Sequence, residues 1–457
     1  MSNFYHDSTF SPATEAVLDE QPVSLETTLE EKPAPKEVVV RKPEQSYALF
    51  HYALLVHMYL FCTRLPELFP SIRPSLAMSI ILLAGLFATG KGSALVNTKL
   101  GRLLLAFTAW TAICVPFSVF VGGSLETLKG VAQATLISAF IIAFIGNLKE
   151  VRHAMYTIAL AMGTVAVLSN TIFHATTGLG EERIGLFSSA TLQDPNFMSL
   201  YLLIGLPFLW LGLTTGKWLT KIVFAPLLLL AFFSIAQSAS RMALFLLMVG
   251  FVIFLIQSSN KERAFALVGA TVLGCVMVPL LPQSTTNRFL TLFKANKDET
   301  IESKDAAESA QMRLFLLFRS VELTFKNPLF GVGPGQFMVA EDKLAKAEGR
   351  ERGIWYYSHN AYTETSSEVG IVGLVIYLMA MVTAFRGLGS IRKRGPTPEI
   401  RAMARAVQLS FWMVILGGLF LTIGFGGVPF VIMGLAVAFK LAVSAEIKSG
   451  RAALTAA

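Results

Sequence analysis

Apolar runs of about 17–25 residues alternate with polar segments from residue 47 to residue 446. A run of this length crosses a bilayer as an α-helix, because about 20 residues rising 1.5 Å each match the hydrocarbon thickness. The pattern therefore predicts an all-α integral membrane protein with about twelve membrane-spanning helices. The predicted spans are approximately 47–63, 75–90, 102–121, 125–146, 152–173, 196–215, 219–237, 241–257, 264–281, 367–386, 405–424 and 427–446.

Polar segments divide the chain around these spans. Residues 1–45 contain five prolines and early acidic residues, and they have too little apolar surface to offset the entropy of ordering. We therefore expect a disordered cytoplasmic tail there, not a signal peptide. The remaining divisions are a bundle of about nine spans over 46–281, a large outer loop over 282–366, about three spans over 367–447, and a second cytoplasmic tail over 448–457.

Lysine and arginine residues lie mainly in alternate connections between the predicted spans. The basic connections contain Lys91, Lys99 and Arg102; Lys149 and Arg152; Lys217 and Lys221; Lys261 and Arg263; and Arg386, Arg392, Lys393, Arg394, Arg401 and Arg405. Because short basic loops stay on the cytoplasmic side, both termini are predicted to be cytoplasmic. The segments 174–195 and 282–366 are then predicted to lie on the outer side.

Composition agrees with this class of protein. Hydrophobic residues make up 54% of the chain and charged residues 15%, whereas a soluble domain carries about 25% charged residues. The net charge of +8 is explained by the basic loops, so it does not indicate a nucleic-acid partner. The three cysteines lie inside apolar runs, where neither metal-ligand spacing nor a disulfide framework is evident.

The large outer loop combines a charged stretch, a helix and a turn. Residues 294–308 are highly charged, which predicts mobility. After them, apolar residues recur at a spacing of three and four from Met312 to Leu323, which predicts a helix that ends before Asn327-Pro328. Glycines 331, 333 and 335 around Pro334 predict a tight turn. This turn lacks the lysine–hydroxyl pair of a P-loop, so a nucleotide site is rejected.

His359 is the first candidate for chemistry, in Ser358-His359-Asn360 where the large loop returns to the membrane. A lone histidine there is often an interfacial side chain bonded to a backbone carbonyl. With a pKa near neutrality, the same residue is also suited to act as a general base. The residue alone leaves both interpretations open.

Three arginines in outer segments are candidates for binding an anion. Arg241 lies in a tight hairpin before the eighth predicted span, where a guanidinium can bind phosphate through two hydrogen bonds beside a helix start. An arginine snorkelling to the interface is the alternative. Arg313 lies on the loop helix, where a solvated charge is the alternative. Arg183 precedes Asp194-Pro195-Asn196, and a surface loop with a helix cap also explains that segment.

Together these segments resemble the O-antigen ligase and O-antigen polymerase family of bacterial membrane glycosyltransferases. The resemblance is carried by NPLFGVGPGQF at 327–337 and by SHNAYTETSSEVGIVG at 358–373. QSASRMAL at 237–244 is similar to the family's Ser-Arg motif, although Met242 replaces the usual glycine. RIGLFSSATLQDPN at 183–196 is similar, more loosely, to its arginine-containing segment that ends in Pro-Asn.

The resemblance implies a reaction and the residues that perform it. It implies transfer of a whole glycan from undecaprenyl diphosphate to the hydroxyl of an acceptor sugar, on the periplasmic side of a bacterial inner membrane. Diphosphate as leaving group supplies the energy, so no metal, cofactor or ATP is expected. The catalytic residues implied are His359, Arg241 and Arg313. The substrate-binding residues expected with them are Arg183, Asn360, Tyr362, Gly333 and Gly335.

The acceptor stays open at this stage. A polymerase extends another lipid-linked repeat unit, a ligase joins the chain to lipid A-core, and a variant ligase joins it to protein. We slightly favour an exopolysaccharide or O-antigen polymerase. The expected partners are the lipid-linked glycan, an acceptor glycan or lipid A-core, the bilayer, and a flippase and chain-length regulator of the same pathway, without nucleic acid.

A polytopic transporter, or a flippase for lipid-linked glycans, is the alternative from a different class. About twelve spans fit that alternative too. Transport sites, however, lie near the bilayer midplane and use ionisable residues or broken helices. The predicted spans are nearly free of ionisable residues at their centres, and Glu126 and Lys129 lie near the outer end of the fourth span.

Overall fold

The computed structural model describes residues 48–68, 74–171, 174–176, 184–186, 189–281, 283, 285–286 and 301–456. The predicted tail at 1–45 lies outside them. The helices are α1 (Ala48–Thr63), α2 (Leu65–Leu68), α3 (Pro74–Ala88), α4 (Ala94–Asn97), α5 (Lys99–Cys114), α6 (Val121–Phe144), α7 (Leu148–Asn170), α8 (Pro195–Thr215), α9 (Trp218–Gln237), α10 (Arg241–Gln257), α11 (Asn260–Met277), α12 (Ile301–Lys326), α13 (Phe337–Ala347), α14 (Ala361–Phe385), α15 (Leu388–Arg394), α16 (Pro398–Gly417) and α17 (Gly427–Ala456). Two short strands, β1 (His174–Thr176) and β2 (Ile184–Leu186), pair antiparallel.

The described helices agree in position with the predicted membrane spans. Within the described residues, nine helical stretches are long and apolar enough to cross a membrane, and α3 with the bent segment after it makes a tenth candidate. The apolar helices α1 and α10 are shorter, with 16 and 17 residues. An apolar helix thus lies at each predicted position, and the chain is an all-α multi-pass membrane protein. The number of crossings stays a prediction.

Hydroxyl groups and small side chains hold the central helices together. The Ser138 hydroxyl on α6 donates a hydrogen bond of 2.7 Å to the Phe430 carbonyl on α17. The Ser410 hydroxyl on α16 donates one of 2.7 Å to the Ile204 carbonyl on α8. Lipid supplies little hydrophobic drive between helices, so such close backbone approaches are a main source of association. The Ser410 bond joins α16 to α8, and the ends of these two helices carry parts of the candidate site.

Contacts between connections place them at two ends of the bundle. Arg405 on α16 forms an ion pair of 2.5 Å with Glu262 on α11, and Arg152 on α7 pairs with Glu399 on α16. These residues belong to the connections predicted to be cytoplasmic, and we call this the basic end. The segments that carry the candidate residues contact one another at the opposite end, which we call the site end.

Two helices form the framework of the large loop. Leu316 and Leu323 of α12 are buried together with Phe337 and Ala340 of α13, which confirms the predicted apolar face. The end of α12 at Lys326 also agrees with the predicted stop. Its start at Ile301, in contrast, lies inside the charged stretch for which the sequence predicted mobility.

α14 is broken near its start. Val369 and Gly370 leave helical geometry, and Gly370 has a φ of 74°. The break frees backbone carbonyls that would otherwise be bonded within the helix, and other segments use them. The indole nitrogen of Trp110 donates to the Val369 carbonyl at 2.8 Å, and the Gly333 amide donates to the Glu368 carbonyl at 3.0 Å. The glycine-rich turn of the loop therefore docks on the break in α14.

Candidate functional site

The hairpin between α9 and α10 positions Arg241. Three residues, Ser238–Ser240, join the two helices, and Arg241 is the first residue of α10, as the sequence predicted. The Ser240 hydroxyl caps α10 by accepting a hydrogen bond of 3.2 Å from the Ala243 amide. Arg241 therefore lies at the positive end of the α10 dipole, beside the free N–H groups of its first turn.

The start of α8 contacts this hairpin directly. The Asp194 carboxylate caps α8 by accepting hydrogen bonds from the amides of Asn196 at 2.7 Å and Phe197 at 3.2 Å. The Ser240 hydroxyl donates a hydrogen bond of 2.7 Å to the side-chain oxygen of Asn196. The two helix starts, α8 and α10, are thereby held side by side at the site end.

His359 occupies an unusual backbone position just before α14. Its φ of 53° is left-handed, a conformation that costs a non-glycine residue about 1–3 kcal/mol and is enriched at functional sites. Its Nδ1 atom is buried and has no hydrogen-bond partner within the described part of the chain. The interfacial alternative, a ring bonded to a backbone carbonyl, finds no support there. A buried nitrogen left unpaired in this way calls for a partner outside the protein, such as water or a substrate.

Charges from two other segments act on His359. Burial, and then the positive charge of Arg313 on α12, lower the pKa of His359 below its usual range. The negative charge of Asp194 opposes this shift and raises the pKa in part. Both charges act on His359 because the loop helix and the start of α8 lie near it. A neutral imidazole at pH 7 is the form that can accept a proton.

Asn360 and Tyr362 anchor the start of α14. The Asn360 side chain caps α14 by accepting from the amides of Tyr362 and Thr363, and it donates to the Leu419 carbonyl at 3.2 Å. The Tyr362 hydroxyl donates a hydrogen bond of 2.7 Å to the Ile415 carbonyl of α16. Both residues therefore hold His359 against the end of α16. Their predicted contact with substrate stays a prediction.

Gly333 and Gly335 belong to the turn that docks on α14. Their φ angles are 108° and 74°, and a Cβ on either would collide with the side chain of Ser118 or of Thr127. The Gly335 amide also donates a hydrogen bond to the buried Glu368 carboxylate. Close packing thus explains both glycines, while their predicted role in binding substrate stays a prediction. Arg183 lies outside the described residues.

Further buried polar atoms without partners lie in the same segments. Within the described residues they include Gln237 Oε1 at the end of α9 and Thr363 Oγ1 in the first turn of α14. Thr422 Oγ1 is another, in the α16–α17 connection that contacts Asn360 through its Leu419 carbonyl. Polar atoms that the protein leaves unpaired are typical of a site that a polar ligand or water completes.

Asp194 is the residue whose part in the site the sequence did not reveal. Its position before Pro195 predicted only a helix cap, and that cap is present. Its electrostatic effect on His359, 165 positions later in the chain, depends on how α8 and α14 meet. The one hint in the sequence was that Asp194 lies between Arg183 and Asn196, in the segment that resembles the family's arginine-containing motif. That position could have suggested a role in the site beyond the helix cap.

A comparison with protein families identifies one stretch of the chain. Residues 226–378 match the model of the O-antigen ligase family, about a third of the sequence. The match runs from α9 into α14 and includes Arg241, Arg313 and His359, whereas Arg183 and Asp194 precede it. It confirms the resemblance to the O-antigen ligase and polymerase family. None of the curated proteins compared matches the chain.

Proposed function

We propose, on the premise that residues 226–378 are a domain of the O-antigen ligase and polymerase family, that the chain is a glycosyltransferase of the bacterial inner membrane. It transfers a glycan whole from undecaprenyl diphosphate to the hydroxyl of an acceptor sugar at the periplasmic face. The observation that carries this proposal is His359: strained, with an unpaired buried Nδ1, and under the influence of both Arg313 and Asp194.

His359 acts as the general base in this proposal. The acceptor oxygen attacks the anomeric carbon of the lipid-linked glycan while its proton passes to the neutral imidazole. The bond between that carbon and the diphosphate oxygen breaks, and the diphosphate leaves with the electron pair. General-base assistance is worth about two to four powers of ten in rate. The depressed pKa of His359 keeps the imidazole in its basic form at neutral pH.

Arg241 and Arg313 stabilise the leaving diphosphate. Negative charge develops on its oxygens as the glycosidic bond breaks, and fixed cations meet that charge without reorganisation. Arg241 at the start of α10 adds its guanidinium to the dipole and free amides of the helix. One such donor is worth about 3–4 kcal/mol in the transition state. Two arginines make a metal ion unnecessary, so transfer is expected to continue in EDTA.

The two buried acids of α14 and the Glu126–Lys129 pair of α6 have structural partners, which weighs against their serving a transport pathway. Glu368 on α14 binds backbone amides of the glycine-rich turn, and Glu364 accepts from the Gly424 amide at 3.0 Å. Lys129 pairs with Glu126 at 2.6 Å on an exposed surface. Polar groups that line a transport pathway would be expected to face an aqueous route instead.

The acceptor decides between the two versions of this function. The polymerase adds the chain to a lipid-linked repeat, and the ligase adds it to lipid A-core. The partners proposed are accordingly the lipid-linked glycan, one of these acceptors, and a flippase and chain-length regulator acting in the same pathway.

Deletion of the gene followed by gel analysis of surface glycans tests the proposal. Loss of long chains with single repeats still attached identifies a polymerase, and loss of all attachment identifies a ligase. Complementation with the wild-type gene serves as the control. An unchanged glycan profile in the deletion strain would contradict the proposed function.

A further inference from the structure

Three consecutive aromatic side chains are exposed immediately before His359. Trp355, Tyr356 and Tyr357 are 55%, 57% and 54% exposed, although they lie in a connection between two packed helices. On a protein surface that faces water, large aromatic side chains are usually exposed singly, and most of them are buried. Three in a row, two residues from the proposed base, therefore call for a ligand.

The backbone that carries these rings is held rigidly by two acids on α13. The Glu341 carboxylate accepts a hydrogen bond of 2.6 Å from the Ile354 amide, and the Asp342 carboxylate accepts one of 2.8 Å from the Gly353 amide. Both acids are buried. The Trp355 side chain also interacts with the Asp342 carboxylate. The backbone at the start of the aromatic segment and the Trp355 side chain are thus held in place, which reduces the entropy lost on binding.

An ion-pair network fixes α13 in turn. Glu341 pairs with Arg350 at 2.9 Å and with Arg319 of α12 at 3.5 Å, and Arg319 also reaches Glu348 at 2.7 Å. Gly353 leaves no room for a side chain, because a Cβ there would collide with Glu341 and with the Asp342 backbone. The loop helices and the aromatic segment therefore form one unit.

Charged residues lie beside this aromatic segment. Lys346 pairs with Asp342 at 2.7 Å with 58% of its side chain exposed, and Glu351 and Arg352 lie three to four residues before Trp355. Two further exposed aromatic residues, Phe117 and Phe120, lie in another connection of the site end, between α5 and α6. A surface that mixes aromatic faces with hydrogen-bonding charges suits a carbohydrate, whose rings have apolar faces and hydroxyl edges.

We propose that Trp355, Tyr356 and Tyr357 form a platform for the sugar rings of the glycan substrate. Sugar rings stack on the exposed aromatic faces and place a hydroxyl or an anomeric carbon next to His359. The role of the platform in the reaction rests on the proposed function. Its binding of sugar does not depend on catalysis, so the two can fail separately.

Binding of free glycan to the full-length protein in lipid nanodiscs tests the platform. The probe is the oligosaccharide that mild acid releases from the lipid-linked glycan of the same cells. Trp355→Ala and Tyr357→Ala should each weaken its binding about 2- to 10-fold, whereas Trp355→Phe should retain most of it. Phe318→Ala, which removes another exposed ring of the same loop, is the matched control and should bind normally.

Transfer kinetics add a second readout. Loss of an aromatic ring should raise the KM for glycan with little change in kcat. His359→Asn should instead lower the transfer rate by about two to four powers of ten and leave binding of the oligosaccharide intact. Normal binding and KM in both Trp355→Ala and Tyr357→Ala would overturn the platform and leave the proposed function standing. If the protein bound the oligosaccharide through these rings but showed no transferase activity, the proposed function would be refuted and the platform would stand.

Brominated lipids test the membrane alternative. The contribution of Trp355 to tryptophan fluorescence is the difference between wild type and Trp355→Phe. Bromine on the lipid acyl chains should not quench this contribution if the ring faces water and sugar. Strong quenching of that fluorescence would place Trp355 in the bilayer and overturn the platform.

Discussion

The Ser240 hydroxyl donates a hydrogen bond of 2.7 Å to the side chain of Asn196, and this bond ties the start of α10 to the start of α8. Arg241 follows Ser240, and Asp194 precedes Asn196 by two residues. One contact between two helix starts therefore joins a proposed anion-binding residue to the carboxylate that acts on His359.

Loss of this bond should impair transfer more than stability. Asn196→Ala should cost about 0.5–1.5 kcal/mol in folding free energy, the usual net value of one hydrogen bond, and should lower the rate of transfer by misplacing Arg241. Ser199→Ala on the same helix removes a hydroxyl that, among the described residues, bonds to the Pro195 carbonyl of α8 itself, and it serves as control. Equal activity of the two variants in proteoliposomes would show that the contact does not position the site.

The pH dependence of transfer should report the charges around His359. The pKa of His359 is lowered, so the basic form is already present at neutral pH and the acid limb of kcat/KM should lie below about pH 6.5. Arg313→Gln removes a positive charge and should move this limb upward. Asp194→Asn removes a negative charge, keeps a capping side chain, and should move it downward.

The direction of these two shifts is the critical result. Acid limbs that coincide in wild type and both variants would mean that His359 does not titrate in the rate-determining step. A shift of both variants in the same direction would mean that general damage to the site, not charge, changes the profile.

The helical bundle could be predicted from the sequence because hydrophobic length alone sets the spans. The amphipathic helix ending at Asn327-Pro328 and the hairpin before Arg241 were likewise predictable from local pattern. The influence of Asp194 on His359 was not, because it depends on tertiary packing between segments far apart in the chain. Nor was the break in α14 at Gly370, since Gly370 and Gly373 were equally compatible with simple close packing of helices.

Arg241→Lys tests whether the guanidinium binds phosphate or only reaches the membrane interface. A lysine keeps the charge but loses the planar pair of donors, so kcat should fall by about 10²-fold or more. Arg263→Lys at the basic end is the matched control and should transfer glycan normally. Near-normal turnover of Arg241→Lys would support snorkelling instead.

Gly335→Ala should lower the amount of folded protein, because its positive φ costs a side chain about 1–2 kcal/mol and the new Cβ would meet the Thr127 hydroxyl. Adding Thr127→Ala opens space beside residue 335 and should restore part of the loss. Rescue of abundance together with activity would assign Gly335 to packing. Rescue of abundance without activity would favour the predicted contact with substrate.

The most direct test of the account is transfer by wild type and His359→Asn in proteoliposomes that contain the lipid-linked glycan and its acceptor. Asparagine tolerates the left-handed conformation at this position, so the fold should be preserved while the base is lost. We predict a fall in the transfer rate of about two to four powers of ten at unchanged abundance and thermal stability. A rate for His359→Asn within a few-fold of wild type would contradict the account.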